Sequence, residues 1–161
     1  MTGDRGFDAV PLIRGQTWEE MTVGLIFRTG ARTITESDFI AFITLCGFNE
    51  PLFWDARHAE SAGYSGRLIP GALTYAIAEG LVIQTHVLHA TGVAYMHMEL
   101  DVQRPVVVGD TIEVVVEVIE SRAASKLNRG VVKTQNTVLN QRGEGVLTYC
   151  PVRLIRGHSG E

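Results

Sequence analysis

A long apolar segment in the middle of the chain most constrains the fold. The segment ALTYAIAEGLVIQTHVL, from Ala72 to Leu88, places apolar side chains on most sides of a predicted helix. Such a helix is stable only when other elements cover it, because its apolar surface is otherwise exposed to water. The rest of the chain must therefore supply a layer that buries this helix.

The covering layer is predicted to be a β-sheet, because the sequence after Gly92 changes to a period of two. Residues 111–120, TIEVVVEVIE, place Ile and Val on one face and mainly Thr and Glu on the other. The other predicted strands are residues 25–28, 93–100, 130–140 and 145–155. One long buried helix and about five antiparallel strands predict an α+β fold, with a curled antiparallel sheet around a central helix.

Two shorter helices are predicted before the long one. Thr35 is placed to cap the first, with Asp38 three residues later as in a capping box, and Gly47 is placed to end it. The segment from Asp55 to Ala62 predicts a second short helix, which Gly63 ends. Apart from the early strand at residues 25–28, the order of elements is therefore helices first and strands afterwards.

Length and charge limit the classes of function. The 161 residues fit one domain, residues 1–161, with a core of about residues 17–156. The formal net charge of −4 argues against nucleic-acid binding, which usually needs a basic face. No apolar run approaches the ~18 residues of a membrane span, and the N-terminus lacks a signal-peptide pattern. A cytoplasmic protein without a membrane segment is expected.

The histidines and cysteines do not form a recognisable metal motif. His86 and His89 lie three residues apart, whereas a zinc pair on a helix more often has a four-residue spacing. His97, on a predicted strand, faces either a cleft or solvent. Cys46 and Cys150 are expected to be reduced thiols, with a disulfide as the alternative. No metal site and no bound cofactor is predicted.

The start of the long helix is a candidate binding site. Pro70 and Gly71 precede Ala72, and Gly71 has no side chain to block the approach of a ligand. The first N–H groups of a helix have no intrahelical partner and lie at the positive end of its dipole. They can stabilise the oxygen of a thioester enolate, as an oxyanion hole does. The alternative is that Pro and Gly only mark the beginning of the helix.

Three segments carry a resemblance to a known family. They are ITESDFIAFITLCGFNEPLFWDARHAESAGYSGRLIPGALTYAIAEGL, LDVQRPVVVGDTIEVVVEV and RGVVKTQNTVLNQRGEGVLTY. Together they resemble the MaoC-like dehydratases, which include the R-specific enoyl-CoA hydratases. The resemblance implies a hot-dog fold, in which an antiparallel sheet wraps a long helix. It also implies a homodimer or higher oligomer, and an acyl-CoA or acyl-carrier thioester as substrate, with coenzyme A only as part of that substrate.

The resemblance includes the family's signature, Gly-Asp-x-Asn-Pro-aliphatic-His, often followed by x-Asp. The corresponding residues here are GFNEPLFWD, which keep the Gly, the Pro, the aliphatic residue and the last Asp. Phe48 stands at the position of the catalytic Asp, Phe53 at that of the catalytic His, and Glu50 at that of the Asn. A phenylalanine ring can neither take a proton from water nor protonate the α-carbon of an enoyl thioester.

The resemblance also selects candidate binding residues. The expected pocket residues are Phe48, Asn49, Phe53, Asp55, Pro70, Gly71 and Ala72. Arg67, Arg104 and Lys126 are candidates for the coenzyme A phosphates, although basic residues on a surface are usually only solvated.

Three functions remain to be distinguished, and the sequence leaves open whether the chain is an enzyme. The first is a divergent hydratase or dehydratase in which Glu50 transfers the proton, Asn49 orients water and the amides of Gly71 and Ala72 hold the thioester oxygen. The second is a non-catalytic subunit that binds the thioester or completes the site of a catalytic sister chain in a heteromer. The third is a thioesterase in which Glu50 or Asp55 activates water.

Overall fold

The fold is one antiparallel sheet with a long helix against it, and the computed structural model describes residues 12–125 and 127–158. The elements are β1 (Ile26–Arg28), β2 (Arg32–Thr33), α1 (Glu36–Cys46), α2 (Pro51–Trp54), α3 (Ala56–Ser61), α4 (Gly71–Gln84), β3 (Gly92–Val102), β4 (Thr111–Ala123), β5 (Arg129–Asn140) and β6 (Gly145–Arg156). The strand order is β1-β4-β5-β6-β3, with β2 also paired to β4. Helix α4 contacts β4 and β6. This arrangement confirms the α+β class and the hot-dog fold.

Helix α4 is buried because its apolar residues face the inner surface of the sheet. Six of its fourteen residues are buried: Leu73, Thr74, Ile77, Ala78, Leu81 and Val82. The five apolar ones pack in one core cluster with residues of β4, β5 and β6, such as Val114, Val138 and Leu147. Burying each large aliphatic side chain contributes about 1.5–3 kcal/mol, so this contact explains why α4 has no extensive polar face.

The predicted end of the long helix was wrong, because α4 ends at Gln84 and not at Leu88. The hydroxyl of Thr85 donates to the carbonyl oxygen of Val82 at 2.7 Å, and His86 adopts a left-handed φ of 61°. The apolar spacing continues past this point because Val87 and Leu88 pack against a second core cluster. Periodicity therefore continued although the helix had ended.

The predicted capping box and glycine end of the first helix are confirmed, and the second short helix is present as α3, one residue shorter at each end than predicted. Asp38 N–H donates to Thr35 Oγ1 at 3.2 Å, and Thr35 N–H donates to Asp38 Oδ2 at 2.9 Å, which together form a capping box. Gly47 ends α1 with a φ of 67°, a conformation that favours glycine. Asp55 caps α3 by accepting the N–H of Arg57 at 3.0 Å. The sequence did not predict α2, because one helical turn is too short to show a period.

All five predicted strands are present, and β2 adds a sixth that two residues could not reveal. Strand β3 lies at one end of the strand order, and no described strand pairs with its outer edge. Its large exposed side chains are Val93, Tyr95, Met96 and Val102. Within the described residues, no helix is long and apolar enough to cross a membrane.

Candidate functional site

A cavity of about 310 Å³ lies at the N-terminal end of α4. Its walls come from the loop before α4, the end of β3 with the following loop, and the start of β6, and they are mostly apolar. Of the residues predicted for the pocket, Phe53, Pro70 and Gly71 line this cavity. The structure therefore brings the helix start and one of the two signature phenylalanines to the same cavity.

The loop before α4 is held in place by the chain that follows β3. Ile69 N–H donates to the carbonyl oxygen of Val106 at 2.8 Å, and Leu68 pairs with Val107 as an isolated antiparallel bridge. A Cβ atom at Gly71 would lie 2.9 Å from Cγ2 of Val102, so a side chain there would force the side chain of Val102 to move. This close approach explains the glycine at the first residue of α4.

The first backbone N–H groups of α4 are available to a ligand. No side chain caps this helix, and the N–H groups of Gly71 and Ala72 donate no hydrogen bond within the described residues. They lie at the positive end of the helix dipole, which favours a negatively polarised oxygen. The side chain of Ala72 is exposed, so only its amide is relevant to this geometry.

The two phenylalanines at the signature positions form an aromatic cluster. The ring centroids of Phe42 and Phe48 are 5.2 Å apart, and those of Phe48 and Phe53 are 5.7 Å apart. The indole N–H of Trp54 donates to the carbonyl oxygen of Phe48 at 2.9 Å and closes the loop between them. The three rings also pack against the main core cluster, so these positions contribute packing.

Asn49 and Glu50 lie outside the cavity. Both side chains are exposed, and neither is among the lining residues. The carbonyl oxygen of Glu50 accepts the N–H of Phe53 at 2.9 Å and begins α2. Within the described residues, the carboxylate of Glu50 makes neither a hydrogen bond nor an ion pair. The proposed roles of these two residues stay predictions.

The side chain of Asp55 forms an ion pair with the neighbouring Arg57. Its carboxylate accepts Nε of Arg57 at 3.0 Å and pairs with Nη2 at 2.9 Å. The guanidinium of Arg57 lowers the pKa of Asp55 to about 2. A carboxylate with so low a pKa is a weak base near neutral pH, and Asp55 does not line the cavity.

The candidate phosphate ligands differ in their surroundings. The guanidinium of Arg67 pairs with the carboxylate of Glu36, donates to the carbonyl oxygen of Phe53 at 3.2 Å and lies 4.8 Å from the ring centroid of Phe39. Arg104 lines the cavity and is exposed. Lys126 lies outside the described residues. Arg104 is therefore the better placed of the two described arginines for an anionic group.

Sequence reasoning missed three polar residues of the cavity wall, which are Tyr64, Thr74 and Gln103. Thr74 is a lone hydroxyl on the apolar helix, and Gln103 precedes Arg104, so both had a weak signal. Tyr64 had no signal beyond its position between two glycines. Its hydroxyl makes no hydrogen bond with any described residue, so it is a free donor at the cavity.

The remaining titratable residues do not form a metal site in the part of the chain that the structure describes. No three or more His, Cys, Asp or Glu side chains there lie close enough together to hold a metal ion. The rings of His86 and His89 are exposed, with centroids 5.9 Å apart, and Cys46 and Cys150 are free. His97 is exposed on β3, with Nε2 3.9 Å from Oε1 of Glu99.

Comparison with known proteins establishes the family. The model of the MaoC like domain matches residues 22–140, which is most of the chain. The chain belongs to the MaoC-like domain family. The resemblance drawn from the three sequence segments is thereby confirmed.

Relatives of this MaoC-like chain include dehydratases. The mitochondrial 3-hydroxyacyl-[acyl-carrier-protein] dehydratase FERN of Solanum lycopersicum is 26% identical over 117 residues, which are 73% of this chain and 67% of that protein. A solved structure of a monoamine oxidase regulatory protein from an Archaeoglobus species has a sequence 31% identical to this chain. The match covers 91% of this chain and 97% of that protein, with a TM-score of 0.82. The fold is also shared, with a TM-score of 0.70, by the C-terminally truncated HadBC complex, a 3R-hydroxyacyl-ACP dehydratase from Mycobacterium tuberculosis. The sequence identity is 17%, and the match covers 82% of this chain and 96% of that one.

Proposed function

We propose that this MaoC-like chain binds an acyl thioester at the N-terminus of α4 and does not itself supply the acid–base pair for hydration or dehydration. The observation that carries this proposal is the aromatic packing of Phe48 and Phe53 at the two catalytic positions of the family. The frame of a hydratase site is present, but its proton-transfer groups are replaced by hydrocarbon.

Binding is supported by the geometry at the start of α4. Two free amides, of Gly71 and Ala72, lie at the positive end of a fourteen-residue helix and suit the oxygen of a thioester carbonyl. The adjoining cavity is mostly apolar, as an acyl group requires. Arg104 on its wall suits a phosphate of coenzyme A or of a carrier-protein arm.

The absence of acid–base groups argues against catalysis by this chain alone. Each positioned proton-transfer group typically contributes a factor of ~10²–10⁴ to the rate. Within the described residues, no carboxyl or imidazole group lines the cavity, whose polar members are Tyr64, Thr74, Gln103 and Arg104. Hydrolysis also needs a base, and the low pKa of Asp55 does not favour a thioesterase.

The missing groups would come from a catalytic sister chain, because a second copy has the same two phenylalanines. We propose that β3 pairs, edge to edge, with a second copy or with a catalytic sister chain. The outer edge of β3 has no described partner, and it carries exposed apolar side chains such as Tyr95 and Met96. An edge strand of eleven residues with unpaired backbone groups can add a strand from another chain. The fold likeness to the HadBC complex supports a heteromer.

A second candidate is an enzyme that uses Glu50 for proton transfer. The specific observation in its favour is that the carboxylate has no partner among the described residues and lies two residues after Phe48 and three before Phe53. A rearrangement of the short α2 loop would be needed to bring it to the cavity. The cytoplasmic location stays a prediction under both candidates.

The test is to titrate the purified chain with crotonyl-CoA and with free coenzyme A by calorimetry, and to follow hydration by the loss of enoyl absorbance. We expect tighter binding of the thioester than of coenzyme A, and hydration only after a sister chain is added. Hydration by the chain alone that disappears in Glu50→Gln would replace this proposal with the second candidate. Equal affinities for the two ligands would contradict thioester binding.

A further inference from the structure

A second cavity, also about 310 Å³, lies beside the C-terminal half of α4. Its wall includes Glu79 and Ile83 of α4, Gly92 and Tyr95 of β3, and Arg153 of β6. The cavity at the helix N-terminus is lined by the same three elements at their other ends. Both cavities therefore lie in one groove between α4 and the strands β3 and β6.

Strand register gives the residues that separate the two cavities. Along β6, Leu147 lines the first cavity and Arg153 the second, and Tyr149 lies between them on the same face. Leu100 of β3 is the partner of Tyr149 in the sheet. On α4, Tyr75 follows the last lining residue of the first cavity and precedes Glu79. Tyr75 and Tyr149 thus lie at the level between the two cavities, and neither is itself a lining residue of either one.

The two tyrosines are in direct contact and both hydroxyls are anchored. Their rings meet edge to face with centroids 5.1 Å apart. The Tyr75 hydroxyl donates to that of Tyr95 at 3.1 Å, and the Tyr149 hydroxyl donates to Oε2 of Glu79 at 3.0 Å. Burial raises the pKa of Tyr149, so its hydroxyl remains a donor across the working pH range.

A buried ion pair between Arg153 and Glu79 holds in place the carboxylate that accepts the Tyr149 hydroxyl. Nη2 of Arg153 donates to both carboxylate oxygens of Glu79, at 2.6 and 2.8 Å. The side chains of Arg153 and Glu79 are only 7% and 17% exposed. A buried ion pair often contributes less net stability than apolar residues of the same volume, so its benefit here is a fixed position for Tyr149. The rings cannot move aside without breaking these bonds.

We propose that Tyr75 and Tyr149 form a partition that closes the acyl end of the candidate site, so that the chain prefers short acyl groups. This inference rests on the proposed binding of acyl thioesters. Gly71, whose amide would hold the thioester oxygen, precedes Tyr75 by four residues, or about 6 Å along the helix. An acyl group longer than this distance meets the tyrosine rings, whereas a chain without the Tyr75 ring would offer it the second cavity.

The experiment measures the affinities of saturated acyl-CoA thioesters, from acetyl-CoA to dodecanoyl-CoA, for the wild-type chain and for Tyr75→Ala. Wild-type affinity is expected to stop rising after a short acyl group. In Tyr75→Ala it is expected to continue rising by about fourfold for each further methylene that becomes buried. Tyr75→Phe keeps the ring and is expected to keep the wild-type limit.

Two outcomes would overturn the partition in different ways. If short thioesters bind but the length limit is the same in wild type and Tyr75→Ala, the partition is wrong and thioester binding stands. If no thioester binds more tightly than free coenzyme A, the proposed function fails and the partition with it. Circular dichroism checks the folding of each variant. Should Tyr75→Ala not fold, Tyr75→Leu replaces the ring with a shorter side chain, and an unchanged limit in that variant is equally contradictory.

Discussion

The two ends of α4 differ in whether the polar groups beside them already have hydrogen-bond partners. At the N-terminal end, the amides of Gly71 and Ala72 are free and the neighbouring cavity is mostly apolar. Toward the C-terminal end, Glu79 and Arg153 are buried and bound to each other. Within the described residues, the polar groups without a partner at the first end are the two amides and the hydroxyl of Tyr64, whereas the carboxylate of Glu79 at the other end is held by Arg153 and Tyr149.

Under the proposed function, this difference explains how the chain binds a thioester without catalysing its hydration. Acid–base catalysis needs a titratable group that is close to the ligand and free to exchange a proton. At the N-terminal end, Phe48 and Phe53 stand at the positions where the family resemblance predicts such groups. At the other end, Glu79 accepts from both Arg153 and the hydroxyl of Tyr149. The proposed binding site and the Glu79–Arg153 ion pair thus lie at different ends of α4.

The largest expected effect comes from restoring the acid–base pair at the N-terminal end. The double variant Phe48→Asp/Phe53→His supplies both groups, and we expect its hydration of crotonyl-CoA to exceed that of the wild type by at least ~10²-fold. The matched control is Phe48→Asn/Phe53→Gln, which is similarly polar but cannot transfer the proton. Equal rates for the two double variants would show that the frame no longer positions a substrate.

The next effect is on stability and concerns the other end. Arg153→Met leaves the carboxylate of Glu79 buried without its partner, and we expect the free energy of unfolding in urea to fall by about 3–5 kcal/mol. The exposed pair of Arg28 and Glu113 provides the control, because Arg28→Gln should cost less than about 1 kcal/mol. The double variant Glu79→Leu/Arg153→Met should regain most of the loss. Similar losses in Arg153→Met and Arg28→Gln would contradict the role given to the buried pair.

A smaller effect separates two glycines of the same helix. Gly71→Ala places a Cβ atom against Val102 and hinders the approach to the amide. Losing one such hydrogen bond costs about 1–3 kcal/mol, which raises Kd for the thioester by roughly 5- to 150-fold. A Cβ atom at Gly80 meets nothing within 4 Å, so Gly80→Ala should leave binding unchanged and stabilise the helix by about 0.5–1 kcal/mol. Calorimetry with crotonyl-CoA and thermal unfolding measure both. Equal affinities in the two variants would remove Gly71 from the site.

The smallest effect is a pH dependence beside the signature loop. The pKa of Asp55 is lowered from 3.8 to about 2 by Arg57, so its charge stabilises the fold above pH 3.8 and this contribution is lost as the pH falls through about 2. Asp55→Asn keeps a capping oxygen but not the charge. We expect the wild type to be the more stable at neutral pH, and the difference to disappear on acidification. A difference that is as large at pH 2 as at neutral pH would show that the charge is not its cause.

Much of the fold was predictable because the residues that determine each element lie close together in the sequence. The capping box of Thr35 and Asp38, the left-handed Gly47 and the alternating residues of β4 each act within a few residues. The end of α4 was not predictable, since Val87 and Leu88 continue the apolar spacing for packing outside the helix. The start of α4 as a candidate site was predictable from the Pro-Gly punctuation, but the wall residues Tyr64 and Gln103 were not.

The sequence by itself determined that an apolar helix must be covered by a sheet, and the family resemblance in it predicts that Phe48 and Phe53 stand where the catalytic pair would be. Side-chain type and spacing are enough for the first conclusion. Only the tertiary structure decided that Glu50 lies outside the cavity, and that Glu79 meets Arg153 across 74 residues of chain. Such contacts depend on how the strands pair and where the helix crosses them, and no local pattern carries that information.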